Sequence, residues 1–78
     1  MDVTQEISIL SEAINSDPEN YFSYLQRGKL YYRSGDFGKA LNDFNSAIKC
    51  NLECIEASQL INMVNEILEF RNTDIYNP

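Results

Sequence analysis

The feature of this sequence that most constrains its fold is a repeat at an offset of 34 residues. The apolar positions of residues 7–14 return at the same three- and four-residue steps in residues 41–48. The matching pairs are Ile7 and Leu41, Leu10 and Phe44, Ala13 and Ala47, and Ile14 and Ile48. Apolar residues at such steps share one face of a helix, and a period of this length is typical of helical repeat arrays. The chain is therefore predicted to be a helical repeat protein.

Four helices are predicted, at about residues 2–15, 21–33, 37–50 and 54–71. Asp2 is expected to cap the first helix and to form a capping box with Gln5. Pro18 ends that helix, Gly35 suits the left-handed position after the second, and Asp36 suits the N-cap of the third. No stretch alternates apolar and polar residues as a strand would. The predicted fold is all-α, an antiparallel stack of helices with short connections.

The length of 78 residues allows one domain, which we place at residues 1–72, with a C-terminal tail at residues 73–78. A chain of this size buries only about 60% of the surface that its unfolded form exposes. Because the core is thin, a partner or a second copy is expected to stabilise it.

Six residues of the second and third helices are predicted to pack the repeat together. Gly28, Ala40 and Ala47 are small where helices cross, and larger side chains fill the space between them. In sequence order the six are Tyr24, Gly28, Tyr31, Ala40, Phe44 and Ala47. With Gly35, Asp36 and Phe37 between the helices, this pattern closely resembles the tetratricopeptide-repeat (TPR) signature. The resemblance implies an α-α superhelix and a non-enzymatic module that binds a segment of another protein.

The chain departs from the family pattern at several places. Arg27 stands where an apolar residue is usual, Leu52 where a Pro is common, and Glu6 where the next repeat has Ala40. Asn62 takes the place of Gly28 one period later. Only residues 20–51 therefore look like a full repeat, flanked by the second half of one repeat and by a terminal capping helix.

A partner surface is also implied by the resemblance, since the first helix of each TPR unit lines the concave, ligand-binding side. The residues that this places on the surface are Phe22, Leu25, Lys29, Tyr32 and Arg33. Residues 27–49 carry five basic and two acidic residues in an otherwise acidic chain. An apolar patch with two cations suits an acidic or C-terminal carboxylate peptide. The alternative is that Lys29 and Arg33 pair with carboxylates on flanking helices.

The last predicted helix is apolar over about half of its circumference, because Met63 and Phe70 widen its core face. We expect this surface to be covered by a second copy of the chain, by a partner, or by the tail through Ile75 and Tyr76. A structural homo-oligomer, such as a homodimer that uses Met63, Phe70, Ile75 and Tyr76, is therefore the alternative function.

Catalysis is not expected. The chain has no His, which excludes Ser–His and Cys–His pairs and histidine metal ligands. Its three glycines do not form a phosphate-binding loop. Cys50 and Cys54 are expected to be reduced thiols, since a metal or redox pair would lack further ligands and the C-x-x-C spacing. We predict no catalytic residue, no metal, no cofactor and no small-molecule substrate.

The net charge of −6 disfavours nucleic acid as a partner. A helix-turn-helix DNA binder is a weaker alternative that the turn at residues 34–36 permits, although the acidity of the chain argues against it. No apolar run is long enough to span a membrane. No secretion signal is recognised, so a cytoplasmic location is expected.

Overall fold

The computed structural model describes the backbone of residues 2–76 and the side chains of residues 2–70. Within residues 2–76 it contains four α-helices: α1 at Val3–Ser16, α2 at Tyr21–Arg33, α3 at Phe37–Cys50 and α4 at Ile55–Tyr76. Residues 2–76 include no strand. The all-α prediction is confirmed, and the bounds of the first three helices agree with it to within one residue.

The helix ends are fixed by the expected cap residues. Gln5 N donates to Asp2 Oδ1 at 2.9 Å while Asp2 N donates to Gln5 Oε1 at 3.3 Å, which confirms the capping box. Gly35 has a φ of +83° after α2. In that turn the Gly35 N–H donates to the carbonyl of Tyr32 at 3.1 Å, and the Asp36 N–H donates to that of Tyr31 at 2.9 Å. This Schellman arrangement satisfies the last carbonyls of α2, so α3 begins directly after a tight turn.

The predicted end of the last helix at Arg71 is wrong. α4 continues to Tyr76, through the predicted boundary between the domain at 1–72 and the tail at 73–78. Asn72, Thr73 and Asp74 have weak helix propensity, but no Gly or Pro interrupts the chain before Pro78, and propensity alone rarely stops a helix that has begun. The division into domain and tail itself stays a prediction.

The helices pack in chain order, α1 on α2, α2 on α3 and α3 on α4. One core runs through α2, α3 and α4. Its buried members are Leu25, Ala40, Phe44, Ala47, Cys54, Ala57 and Val64. Phe44 and Val64 are the largest side chains that are fully buried. Small residues at three of these positions let the helix axes approach closely, which is why so short a chain still encloses a phenyl ring.

Gly28 lies where α2 crosses α3. A Cβ built there would lie 2.6 Å from Cε1 and 2.8 Å from Cδ1 of Phe44, and 3.1 Å from Cβ of Asp43. Real Cβ atoms do not approach neighbouring atoms that closely, and the Phe44 ring is enclosed. Gly28 thus costs the helix about 1 kcal/mol relative to Ala, but it allows α2 and α3 to approach closely.

Arg27, the residue that departs from the family pattern, ties three helices together. Its Nε and Nη2 donate to the two carboxylate oxygens of Asp43 on α3 at 2.8 and 2.7 Å. Its Nη1 donates to Ser11 Oγ on α1 at 3.0 Å. The hydrogen bonds that Arg27 donates to Asp43 raise the pKa of the guanidinium, against the opposing effect of burial. The bidentate pair supplies the partner that the buried Asp43, 4% exposed, requires.

The remaining predicted packing residues are partly exposed. The Tyr24 hydroxyl donates to the carbonyl of Pro18 at 2.9 Å, which holds the turn before α2. The Tyr31 ring lies between two cations, with Arg27 Cζ at 5.9 Å and Lys39 Nζ at 5.6 Å from its centroid. Both rings therefore contribute polar or cation–π contacts in addition to apolar area.

Candidate protein-binding groove

An open groove of about 460 Å³ runs between α1 and α2. Three of its lining residues come from α1 and four from α2. They are Glu6, Ile9, Leu10, Gln26, Lys29, Leu30 and Arg33. We call this set the α1–α2 groove.

The floor of the α1–α2 groove is apolar. Leu30 is 6% exposed and Leu10 is half-buried, while Ile9 projects with 51% of its surface exposed. An isoleucine that is left half in water forgoes part of the roughly 1.5–3 kcal/mol that its full burial would contribute. The groove thus offers apolar surface to a ligand without any rearrangement of the helices.

Two cations flank this floor, and their environments differ. Lys29 Nζ lies 2.6 Å from Oε2 of Glu56 on α4, in a pair whose side chains are 38% and 50% exposed. Arg33, at the last turn of α2, has no carboxylate oxygen within 4.0 Å among residues 2–70. Exposed ion pairs contribute little and exchange readily with water, so both cations are accessible to an anionic ligand, and Arg33 has no competitor among those residues.

The predicted partner surface is only partly brought together. Lys29 and Arg33 line the α1–α2 groove. Phe22 is 55% exposed on the first turn of α2, with its ring edge-on to Tyr21 at 6.5 Å. Tyr32 is half-buried and packs edge-on against Phe37, with centroids 5.6 Å apart. Leu25, however, is 3% exposed and belongs to the core. Its assignment to an exposed surface is corrected, because α3 and α4 together cover that side of α2.

Sequence reasoning missed five of the groove residues. Gln26 and Leu30 lie on α2, and Glu6, Ile9 and Leu10 come from α1, which was not considered as a binding element. A signal for α1 was present in the repeat. Ile9 aligns with Asp43 at the 34-residue offset. α1 thus has an apolar residue at the position where α3 has a carboxylate that Arg27 of α2 binds.

The surface of α4 carries the other predicted contact residues. Met63 is 46% exposed and Phe70 is 69% exposed. The side chains of Ile75 and Tyr76 lie outside the described residues. Cys54 is buried and Cys50 is exposed, both as free thiols. Among the described side chains no group of His, Cys, Asp and Glu is arranged to hold a metal ion.

Comparison with known proteins relates this chain to a much longer protein. The chain is 31% identical over 72 residues to a protein of Schizosaccharomyces pombe described as a DnaJ homolog subfamily C member 7 homolog. The match covers 92% of this chain and 15% of the relative, so the chain spans a small part of that protein's length. No family model and no solved structure matches the chain. No helix in the described part of the chain is long and apolar enough to cross a membrane.

Proposed function

We propose that this chain is a non-enzymatic, TPR-like interaction module that binds a segment of a partner protein in the α1–α2 groove. The observation that carries the proposal is the combination of an apolar floor, open to solvent at Ile9, with a cation at Arg33 that no carboxylate of residues 2–70 pairs. The repeat at 34 residues and the small side chains at the α2–α3 crossing support the assignment to the TPR family.

The shape and chemistry of the groove favour an amphipathic segment. Apolar side chains at helical spacing would cover Ile9, Leu10 and Leu30, and a carboxylate beside them would face Arg33. Arg is well suited to this role because its planar guanidinium binds a carboxylate through two hydrogen bonds. The ligand class is therefore an apolar peptide segment with acidic residues on one flank.

The similarity to a segment of the DnaJ homologue also supports the proposal. The matching segment there is part of a much longer protein, as expected for a module that works beside other domains.

The proposal can be tested by NMR titration of the labelled chain with a designed helical peptide. The peptide carries Leu at three- and four-residue spacing and Glu on one flank, and the matched peptide carries Lys in place of Glu. We expect shifts at Ile9, Leu10, Leu30 and Arg33 with the acidic peptide, and at least fivefold weaker binding of the basic one. Equal binding of both peptides, or shifts spread over α3, would refute the groove.

The alternative function, a structural homo-oligomer, is supported by the exposure of Met63 and Phe70 on α4. Mass measurement in solution tests it: a chain that is monomeric at all concentrations would exclude it.

We also propose a cytoplasmic location, since small secreted domains usually rely on disulfides and both cysteines here are free thiols. Localisation of a tagged chain in fractionated cells would check this.

A further inference from the structure

The two walls of the α1–α2 groove carry opposite charges. The α2 wall carries Lys29 and Arg33, four residues apart on one face of the helix. The α1 wall carries Glu6. Helices α1 and α2 are joined by residues 17–20 and pack against each other, so they run antiparallel. Glu6 near the start of α1 and Arg33 at the end of α2 therefore lie at the same end of the groove, on opposite walls.

The two charged groups at this end of the groove are not paired with each other. No ion pair within 4.0 Å joins Glu6 or Arg33 to any of residues 2–70. Glu6 is half-buried beside the apolar floor, whereas Ala40, its counterpart one period later, is completely buried. Among the described side chains, both charges therefore remain available to a bound segment.

We propose that the α1–α2 groove selects an amphipathic helical segment that carries carboxylates on one flank and a cation on the other, and that Glu6 binds this cation. This ligand class rests on the proposed function, because it is the occupant of the same groove. It adds one requirement to that function: the second flank of the ligand is basic. Glu6 is then the residue that distinguishes such a segment from one that is acidic throughout.

The selection follows from where the flanks of a docked helix must lie. Charged residues beside an apolar seam pair across two packed helices and fix which partner binds and in which direction. With the apolar side chains of the ligand on the groove floor, one of its flanks faces α2 and the other faces α1. The flank on α2 meets Lys29 and Arg33, which attract carboxylates. The flank on α1 meets Glu6, which repels a carboxylate and attracts a Lys or Arg side chain.

The opposite charges of the two walls also set the direction of the ligand. Turning a helix end for end, while its apolar face stays on the groove floor, exchanges its two flanks between the walls. Only one direction then places the carboxylates on α2 and the cation on Glu6. A given segment should therefore bind in one direction, and the same segment with its flanks exchanged should bind in the other.

Glu6 also has a structural role that the test must separate from binding. It lies in the first turn of α1, where an acidic side chain stabilises the N-terminus of a helix. Loss of that role alone would lower the free energy of unfolding and leave the order of peptide affinities unchanged. Affinity and stability are therefore measured on the same variants.

Calorimetric titration of the full chain with three helical peptides tests the selection. Each peptide has Leu at three- and four-residue spacing and Glu on one flank, and its second flank carries Lys, Gln or Glu. The peptide with Lys should bind about two- to fivefold more tightly than the peptide with Gln, as expected for an exposed ion pair. The peptide with Glu on both flanks should bind most weakly.

Three variants of the chain assign this order to Glu6. In Glu6→Gln the advantage of Lys over Gln should disappear, and in Glu6→Lys the peptide with Glu on both flanks should become the tightest binder. Glu12→Gln is the matched control, since Glu12 is exposed on α1 outside the groove. It should keep the wild-type order. Urea unfolding of each variant measures the stability.

The direction is tested with a nitroxide at the N-terminus of the peptide that carries Lys. It should broaden NMR signals at one end of the groove, and exchange of the two flanks should move the broadening to the other end. Broadening that stays in place would overturn the proposed orientation.

Equal affinities of the Lys and Gln peptides for the wild-type chain would overturn the selection by Glu6. A Glu6→Gln variant that is less stable but keeps the order of affinities would overturn it too, and so would one that binds all three peptides more tightly by the same factor. If the peptides still shift the signals of Ile9, Leu10 and Leu30 in these cases, the proposed function stands. If none of them does, the proposed function fails as well.

Discussion

The two equivalent helices α1 and α3 share a sequence pattern but differ in what covers them. The face of α3 that carries Ala40 and Phe44 is completely buried under α2, and Asp43 beside them is nearly so. The corresponding face of α1, with Glu6, Ile9 and Leu10, lines an open groove. The comparison shows that a repeat pattern specifies a helix with two contact faces, and that the order of helices in the chain decides which face remains available for binding.

The largest expected difference between the two helices concerns the aligned residues Phe44 and Leu10. Phe44→Ala removes a fully buried ring and should lower the free energy of unfolding by about 3–5 kcal/mol, whereas Leu10→Ala at the edge of the groove should lower it by less than about 2 kcal/mol. Urea unfolding followed by circular dichroism measures both. Equal losses of unfolding free energy would show that α1 and α3 are equally buried in solution, which would contradict the open α1–α2 groove.

The next largest effect is expected at the buried ion pair between Arg27 and Asp43, compared with an apolar pair at the same two positions. Asp43→Ala leaves the partly buried Arg27 without its acceptor and should lower the free energy of unfolding by about 2–4 kcal/mol, because breaking such a pair exposes the full desolvation penalty of the remaining charge. Replacing both residues by Leu should recover most of the loss.

The double variant shows whether the ion pair itself or another hydrogen bond of Arg27 contributes more to stability. If Arg27→Leu with Asp43→Leu proved as unstable as Asp43→Ala, the hydrogen bond from Arg27 to Ser11 at 3.0 Å would be the more important part of the network. Thermal unfolding of the single and double variants decides between these cases.

Gly28 and Gly38 provide a comparison within one hairpin. Gly28→Ala forces a Cβ against the enclosed Phe44 ring and should destabilise the chain by about 1–3 kcal/mol, although Ala is the better helix former. Nothing lies within 4 Å of a Cβ at Gly38, so Gly38→Ala should stabilise α3 by up to about 1 kcal/mol. Denaturant midpoints measure both changes, and a stabilising Gly28→Ala would contradict the close crossing.

The smallest effect concerns the exposed pair between Lys29 and Glu56. Glu56→Gln should change the free energy of unfolding by less than about 1 kcal/mol and lose even that effect at high salt. Because it releases Lys29 into the groove, it should also tighten binding of an acidic peptide by up to about fivefold. Calorimetric titration checks this, with Glu53→Gln outside the groove as the control. Unchanged affinity would leave Arg33 as the principal anion contact.

Much of the fold could be predicted from the sequence because its signals are local. The capping box at Asp2 and the left-handed position of Gly35 depend only on neighbouring residues, and both were correctly predicted. The end of α4 was not, since Asn72 to Asp74 resemble a turn by composition while no residue forbids the helix from continuing.

The candidate site was harder to predict because it depends on which helix faces remain uncovered. Lys29 and Arg33 were placed on a binding surface by resemblance, and both line the groove. Leu25 was placed there as well, although α3 and α4 bury it. Ile9 was not predicted to belong to the site. A single apolar residue outside the main stripe of α1 indicates a contact face only when it is aligned with Asp43 one period later.

The tight turn at Gly35 also has a kinetic consequence. It joins the two helices that share the most extensive packing through only residues 34–36, so the α2–α3 hairpin is closed by contacts that are near in sequence. Closing a short loop requires little entropy, and proteins with such local contacts fold in microseconds to milliseconds. The hairpin should therefore form first, with α1 and α4 adding to its two sides, and its amides should exchange with solvent most slowly.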